Sequence, residues 1–168
     1  GMDIPLTGSE IIEEGLQEGI IERNEDNLQI SAQLFLIASD YASALPSALE
    51  LAEISDSGDA WDSVGYIHYV MANYSDSADA FRSAIDKGNL SNRSDTLIFL
   101  ARALLELDDF EGARSAARQA ADAGDEEDRE SANQYLTFIG NSEQRFNIIE
   151  QRKQEAIDFY EPYPSLLD

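Results

Sequence analysis

The feature that most constrains this chain is a spacing that recurs three times. The stretches DYASALPSALELA (40–52), NYSDSADAFRSAI (73–85) and DFEGARSAARQAA (109–121) align on a leading aromatic, Tyr41, Tyr74 or Phe110, and these lie 33 and 36 residues apart. Three residues after each aromatic stands a small residue, Ala44, Ser77 or Ala113. Seven after it stands Ala48, Phe81 or Ala117, and ten after it Leu51, Ala84 or Ala120. Nine residues upstream are Ala32, Gly65 or Ala101, and thirteen upstream are Leu28, Trp61 or Leu97. A fixed period of this length denotes units that cannot bury their apolar face alone and must stack.

The small residues have a physical reason. Gly65 and Ser77, facing each other across a helix pair, let two backbones approach, while Trp61, Phe81 and Ala84 fill the space beside them. These offsets resemble the tetratricopeptide repeat, a pair of antiparallel helices of about 34 residues. The resemblance implies an all-α, right-handed superhelix with repeats over about 25–57, 58–92 and 93–125. The repeat holding Trp61, Gly65, Tyr74, Phe81 and Ala84 carries the fullest pattern.

Helical periodicity runs through nearly the whole chain, broken by turn clusters such as SDSGD (55–59) and AGDEED (123–128). It predicts about nine helices, near 9–22, 26–38, 42–54, 59–72, 75–87, 94–106, 109–123, 127–139 and 142–159. Residues 1–8 read as a disordered start, 127–159 as two capping helices, and 161–168, with Pro162 and Pro164, as a flexible tail. Pro46 falls inside a helical stretch, which predicts a helix that begins late, near Ser43, or bends there.

Charge narrows the classes of partner. Eleven Lys and Arg against 34 Asp and Glu give a net charge of −23, which repels nucleic acid and anionic lipid. The chain has no cysteine, so disulfides and thiolate chemistry are excluded. No stretch reaches the ~18 apolar residues of a membrane span. The opening GMDIPLTGSE has neither the basic nor the apolar region of a secretory signal, and Gly1 before Met2 reads as the remnant of an expression tag. With Met2 as native start, the expected compartment is the cytoplasm.

Tests for chemistry return little. His68 is the only histidine, and in the repeat its position is one that packs, so a Ser-His-Asp site is not expected. There is no G-x-S-x-G, Walker A loop, G-x-G-x-x-G or H-E-x-x-H. DEEDRE (125–130) lacks the pattern of a calcium loop and reads as a helix start capped by Asp125. SDSGD reads as a turn, with Asp59 capping the helix that follows. No enzyme activity, cofactor or metal is expected.

Repeats of this kind present a concave groove lined by the first helix of each pair. The alignment places Asp26, Gln29, Gln33 and Leu36 there from repeat one, and Asp59, Asp62, Tyr66 and Tyr69 from repeat two. Repeat three adds Asp95, Ile98, Arg102, Leu105 and Glu106. The Lys and Asn clamp with which chaperone-binding members of the family hold a C-terminal carboxylate is replaced here by Asp, Gln and Tyr. An acidic trough with tyrosines instead fits a protein or peptide partner that is basic or polar. The alternative is a scaffold that associates with copies of itself.

Three stretches, DYASALPSALELAEISDSGDAW, AFRSAIDKGNLSNRSDTLIFLARALLELDDFEGARSAARQAA and SANQYLTFIGNSEQR, resemble more narrowly the C-terminal part of tetratricopeptide proteins that accompany TonB components in proteobacteria. That resemblance implies a non-enzymatic periplasmic protein assisting TonB-dependent transport.

Overall fold

The computed structural model describes the backbone of residues 3–160, and among these it contains helices only. The helices are α1 (Asp3–Gln17), α2 (Glu25–Ile37), α3 (Tyr41–Ile54), α4 (Asp59–Val70), α5 (Tyr74–Lys87), α6 (Arg93–Glu106), α7 (Phe110–Ala123) and α8 (Glu126–Tyr160). Each packs on the next in order, so α2/α3, α4/α5 and α6/α7 are the expected pairs stacked into one solenoid.

The packing positions behave as the spacing predicts. Leu28, Ala32, Ala44 and Ala48 are buried in repeat one, and Leu97, Ala101, Ala113 and Ala117 in repeat three. In repeat two Phe81 is fully buried against Gly65, where an added Cβ would lie 2.7 Å from its ring. Ser77 donates a hydrogen bond of 2.8 Å to the Gly65 carbonyl, which locks this close approach. Ser31 and Ser47 meet at 3.0 Å across the helix pair of repeat one, at positions that Val64 and Ala80 occupy in repeat two.

The turn inside each pair repeats in backbone geometry as well. Ser39, Ala72 and Asp108, each two residues before the aromatic, have φ of 59°, 60° and 58°. The next N–H then reaches back to the helix: Asp40 to the Phe35 carbonyl, Asn73 to that of His68 and Asp109 to that of Leu104, each at 2.9 Å. This left-handed closure satisfies carbonyls that the helix end leaves unpaired.

Four expectations need correction. Helix α1 starts at Asp3 rather than at 9, so residues 3–8, read as a disordered start, are helical; Pro5 falls in the first turn, where N–H groups lack intrahelical partners anyway. The same helix ends at Gln17 and not at 22, because Gly19 turns left-handed (φ 72°) and Ile21 folds back over Gly15. Helix α3 begins at Tyr41, capped by Asp40, with Pro46 inside it rather than near a late start. The main-chain bond Pro46 removes is the one to the Ala42 carbonyl, and both residues are exposed, so water substitutes.

Fourth, 127–139 and 142–159 form one helix of 35 residues instead of two, giving eight helices and not nine. Gly140 and Asn141 are exposed, so no buried contact draws the chain into a turn at GNSE. A single exposed glycine costs a helix only about 1 kcal/mol. The tail expected at 161–168 lies outside the described residues.

Candidate interaction groove

Helices α2, α4 and α6, joined by the first half of α8, line one side of the solenoid, and aromatic rings run along it. Tyr66 of α4 stands edge-on to Tyr41 at 6.5 Å and to Phe99 of α6 at 5.8 Å. Tyr69 contacts Phe99 at 6.1 Å and Tyr74 at 5.6 Å, and Phe99 stacks on the buried Phe81. The guanidinium of Arg102 lies 4.9 Å from the centre of Phe99 and 5.9 Å from that of Tyr135. Burial pushes the Tyr135 hydroxyl up to about 12 against the pull of Arg102, so this phenol remains a neutral donor. Burial, assisted by Glu106, also raises Tyr69.

Each residue assigned to the groove from sequence has a definite place. Gln29 and Gln33 line a cavity of about 210 Å3 with Leu36, Ala60 and Ser63, between α2 and α4. Tyr66 is 38% exposed and is the open aromatic of the centre. Tyr69 is half-buried, its ring turned toward α5 and α6. Leu105 and Glu106 border a separate, more apolar hollow of about 390 Å3 with Phe110, Phe138, Phe146 and Ile149. The aromatic chain thus links Tyr66, Tyr69 and Arg102, whereas the two glutamines and the Leu105–Glu106 pair sit in hollows at either side.

Asp62 departs from the picture of a solvated groove carboxylate. It is half-buried and faces Thr96 of α6, and its Oδ1 is enclosed without a hydrogen-bond partner. Desolvation raises its pKa; Thr96 opposes this, and Asp59 and Asp95 add to it. Asp59 is not a helix cap either: Gly58 holds that position without a side-chain bond. The Asp59 carboxylate instead accepts from Ser91 N–H at 2.8 Å and Ser91 Oγ at 2.6 Å, tying the α5–α6 loop to α4, and its pKa is lowered by these bonds against the desolvation that opposes them. Gly58 is required by contact rather than by dihedral angle, since a Cβ there would lie 2.3 Å from the Ala84 carbonyl oxygen. Asp125 does cap α8, accepting from Glu127 and Asp128 N–H at 2.9 and 3.1 Å.

Sequence reasoning missed Phe99 and Tyr135. Phe99 joins the rings of Tyr66, Tyr69 and Phe81, and Tyr135 completes a cavity of about 450 Å3 with Asp95, Arg102, Asp128, Gln134 and Phe138. The available signal was the helical spacing of Asp95, Phe99 and Arg102, which places all three on one side of α6. Tyr135 belongs to α8, whose sequence has the character of a cap and carries no sign that it also walls the groove.

His68 occupies the repeat position held by Phe35 and Leu104, both core residues. It is half-buried, and its Nδ1 is enclosed without a hydrogen-bond partner. Among the described residues no group of three or more His, Cys, Asp or Glu is arranged to hold a metal ion. None of the helices is long and apolar enough to cross a membrane.

No family model matches the sequence. No curated protein matches it. Among solved structures it is similar to MamA: one crystal structure superposes with a TM-score of 0.68 at 12% identity, over 94% of this chain and 83% of the other. A second MamA structure gives a TM-score of 0.61 at 13% identity, over 83% and 88%. Identities this low carry the fold alone, and with the repeat geometry above they establish the chain as an all-α helical-repeat solenoid of tetratricopeptide type.

Proposed function

We propose that the protein is a non-enzymatic interaction module that holds a protein or peptide in the groove formed by α2, α4, α6 and the first half of α8. The observation that carries this reading is the continuous ring chain Tyr41–Tyr66–Phe99–Tyr69, open to solvent at Tyr66 and bordered by carboxylates. Aromatic faces attract guanidinium and ammonium groups, and Asp95, Glu106 and Asp26 add charge attraction, with Arg102 and Arg145 the basic groups that border Asp95 and Glu106. The preferred partner is therefore a basic or polar segment, its cations over Tyr66. The three TonB-protein-like stretches extend the reading to a periplasmic assembly linked to TonB-dependent transport.

A titration with a labelled Arg- and Lys-rich peptide tests the groove. Tyr66→Ala with Tyr69→Ala is expected to weaken binding by about tenfold or more, the loss of roughly 1.4 kcal/mol. Equal affinity in the double variant removes the groove from the mechanism.

A further inference from the structure

One face of the outer half of α8 carries chemistry opposite to that of the groove, while its carboxylates, Glu150, Glu155 and Asp158, fall on the other faces. Beyond Phe146 every described side chain of α8 is exposed, through Phe159. At 100° per residue, Phe138, Arg145, Ile149, Arg152 and Ala156 fall on one stripe, with Lys153 at its border. Phe138 is 48% and Ile149 53% exposed. The stripe thus holds three of the chain's 11 Lys and Arg residues. Lys153 is held only by an exposed pair with Glu150 at 2.5 Å, which another carboxylate can replace.

We propose that the outer half of α8 from one molecule seats in the concave groove of a second copy, so that chains associate head to tail. This rests on the groove being the binding surface and specifies its occupant. Charge complementarity favours it, because an apolar stripe edged by Arg145, Arg152 and Lys153 meets an aromatic floor edged by Asp95, Glu106 and Asp26. Size agrees: residues 147–160 extend about 21 Å at 1.5 Å per residue, and three helices about 10 Å apart present a floor of about 20–30 Å. The helix runs on unbroken past Ile149, the last of its residues to border the Leu105–Glu106 hollow of its own molecule. Two α8 stripes packed on each other would oppose like charges. A groove-to-helix contact is heterologous, so it propagates into chains or closes into rings rather than stopping at an isologous dimer.

The absence of cysteine makes disulfide trapping clean. Single variants Tyr66→Cys and Ile149→Cys, mixed and oxidised, are expected to give a mixed dimer linked 66–149. Sedimentation of the unmodified protein should show mass growing with concentration, weakened at least about tenfold between about 50 mM and 500 mM salt. The triple variant R145E/R152E/K153E should remain monomeric with an unchanged far-ultraviolet circular dichroism spectrum. A strict monomer at roughly 1 mM, the weak end of association, overturns the proposal, as does a 149–149 link in place of 66–149. If the unrelated cationic peptide binds a protein that stays monomeric, self-docking fails and the groove reading stands. If neither the peptide nor a second copy binds, both fail.

Discussion

At the scale of single residues, two enclosed atoms, Asp62 Oδ1 and His68 Nδ1, lack hydrogen-bond partners and each carries a prediction. Burial holds Asp62 above its ordinary 3.8, so the folded state binds its proton more tightly than the unfolded chain does. The ionised carboxylate therefore costs stability above the folded pKa, and the cost disappears as pH falls below the unfolded value. Asp62→Asn should raise Tm at pH 7 by roughly 2–4 °C, the effect of about 1 kcal/mol at this size, with the gain shrinking to nothing near pH 3; thermal melts across that range check it. His68 stands where the other repeats have Phe35 and Leu104, and its enclosed Nδ1 leaves a lost hydrogen bond uncompensated. His68→Leu should stabilise by about 1 kcal/mol in urea unfolding, whereas a destabilised variant would show that the imidazole makes an unrecognised bond.

At the scale of elements, the left-handed residue closing each helix pair is the part of the repeat that side-chain spacing does not encode. Ser39, Ala72 and Asp108 share no chemistry, yet their φ angles agree within 2°. Of the three, alanine has no polar side chain to offset the steric strain of this region. Ala72→Gly should therefore raise stability by about 0.5–1 kcal/mol, read from the chemical-denaturation midpoint. The helix pairs themselves were legible because Gly65, Ser77, Phe81 and their equivalents must meet face to face. The helix ends were less legible: whether Pro46 sits inside α3 depends on the carbonyl it orphans being exposed, and whether GNSE is a turn depends on what stands beside it. Neither is written locally. For the groove, Tyr66 and Arg102 were readable from register alone, while the burial of Asp62 and the entry of Tyr135 depend on how α6 and α8 pack.

For the whole molecule, α8 divides into a half that closes the solenoid and a half that stands clear of it. Ala132 and Ile139 are fully buried against repeat three, and Arg114 grips Glu143 with two hydrogen bonds of 2.8 and 3.0 Å. Removing residues 148–168 should leave Tm within about 2 °C, the scale of well under 1 kcal/mol, while removal back to 126 uncovers Ala116, Ala117, Ala120 and Ala121 of α7 and should abolish cooperative unfolding. Calorimetry on the two truncations distinguishes a capping role from a dispensable one. In a one-dimensional stack each end must be covered, and here one helix covers the end and continues past it.

That continuity gives the protein a built-in lever. An unbroken helix of 35 residues is about 52 Å long, and its first half is clamped to the body. A spin label at Ile157 and another at Tyr74 would therefore report a single narrow distance, and a domain fused to this helix would inherit its heading rather than tumble.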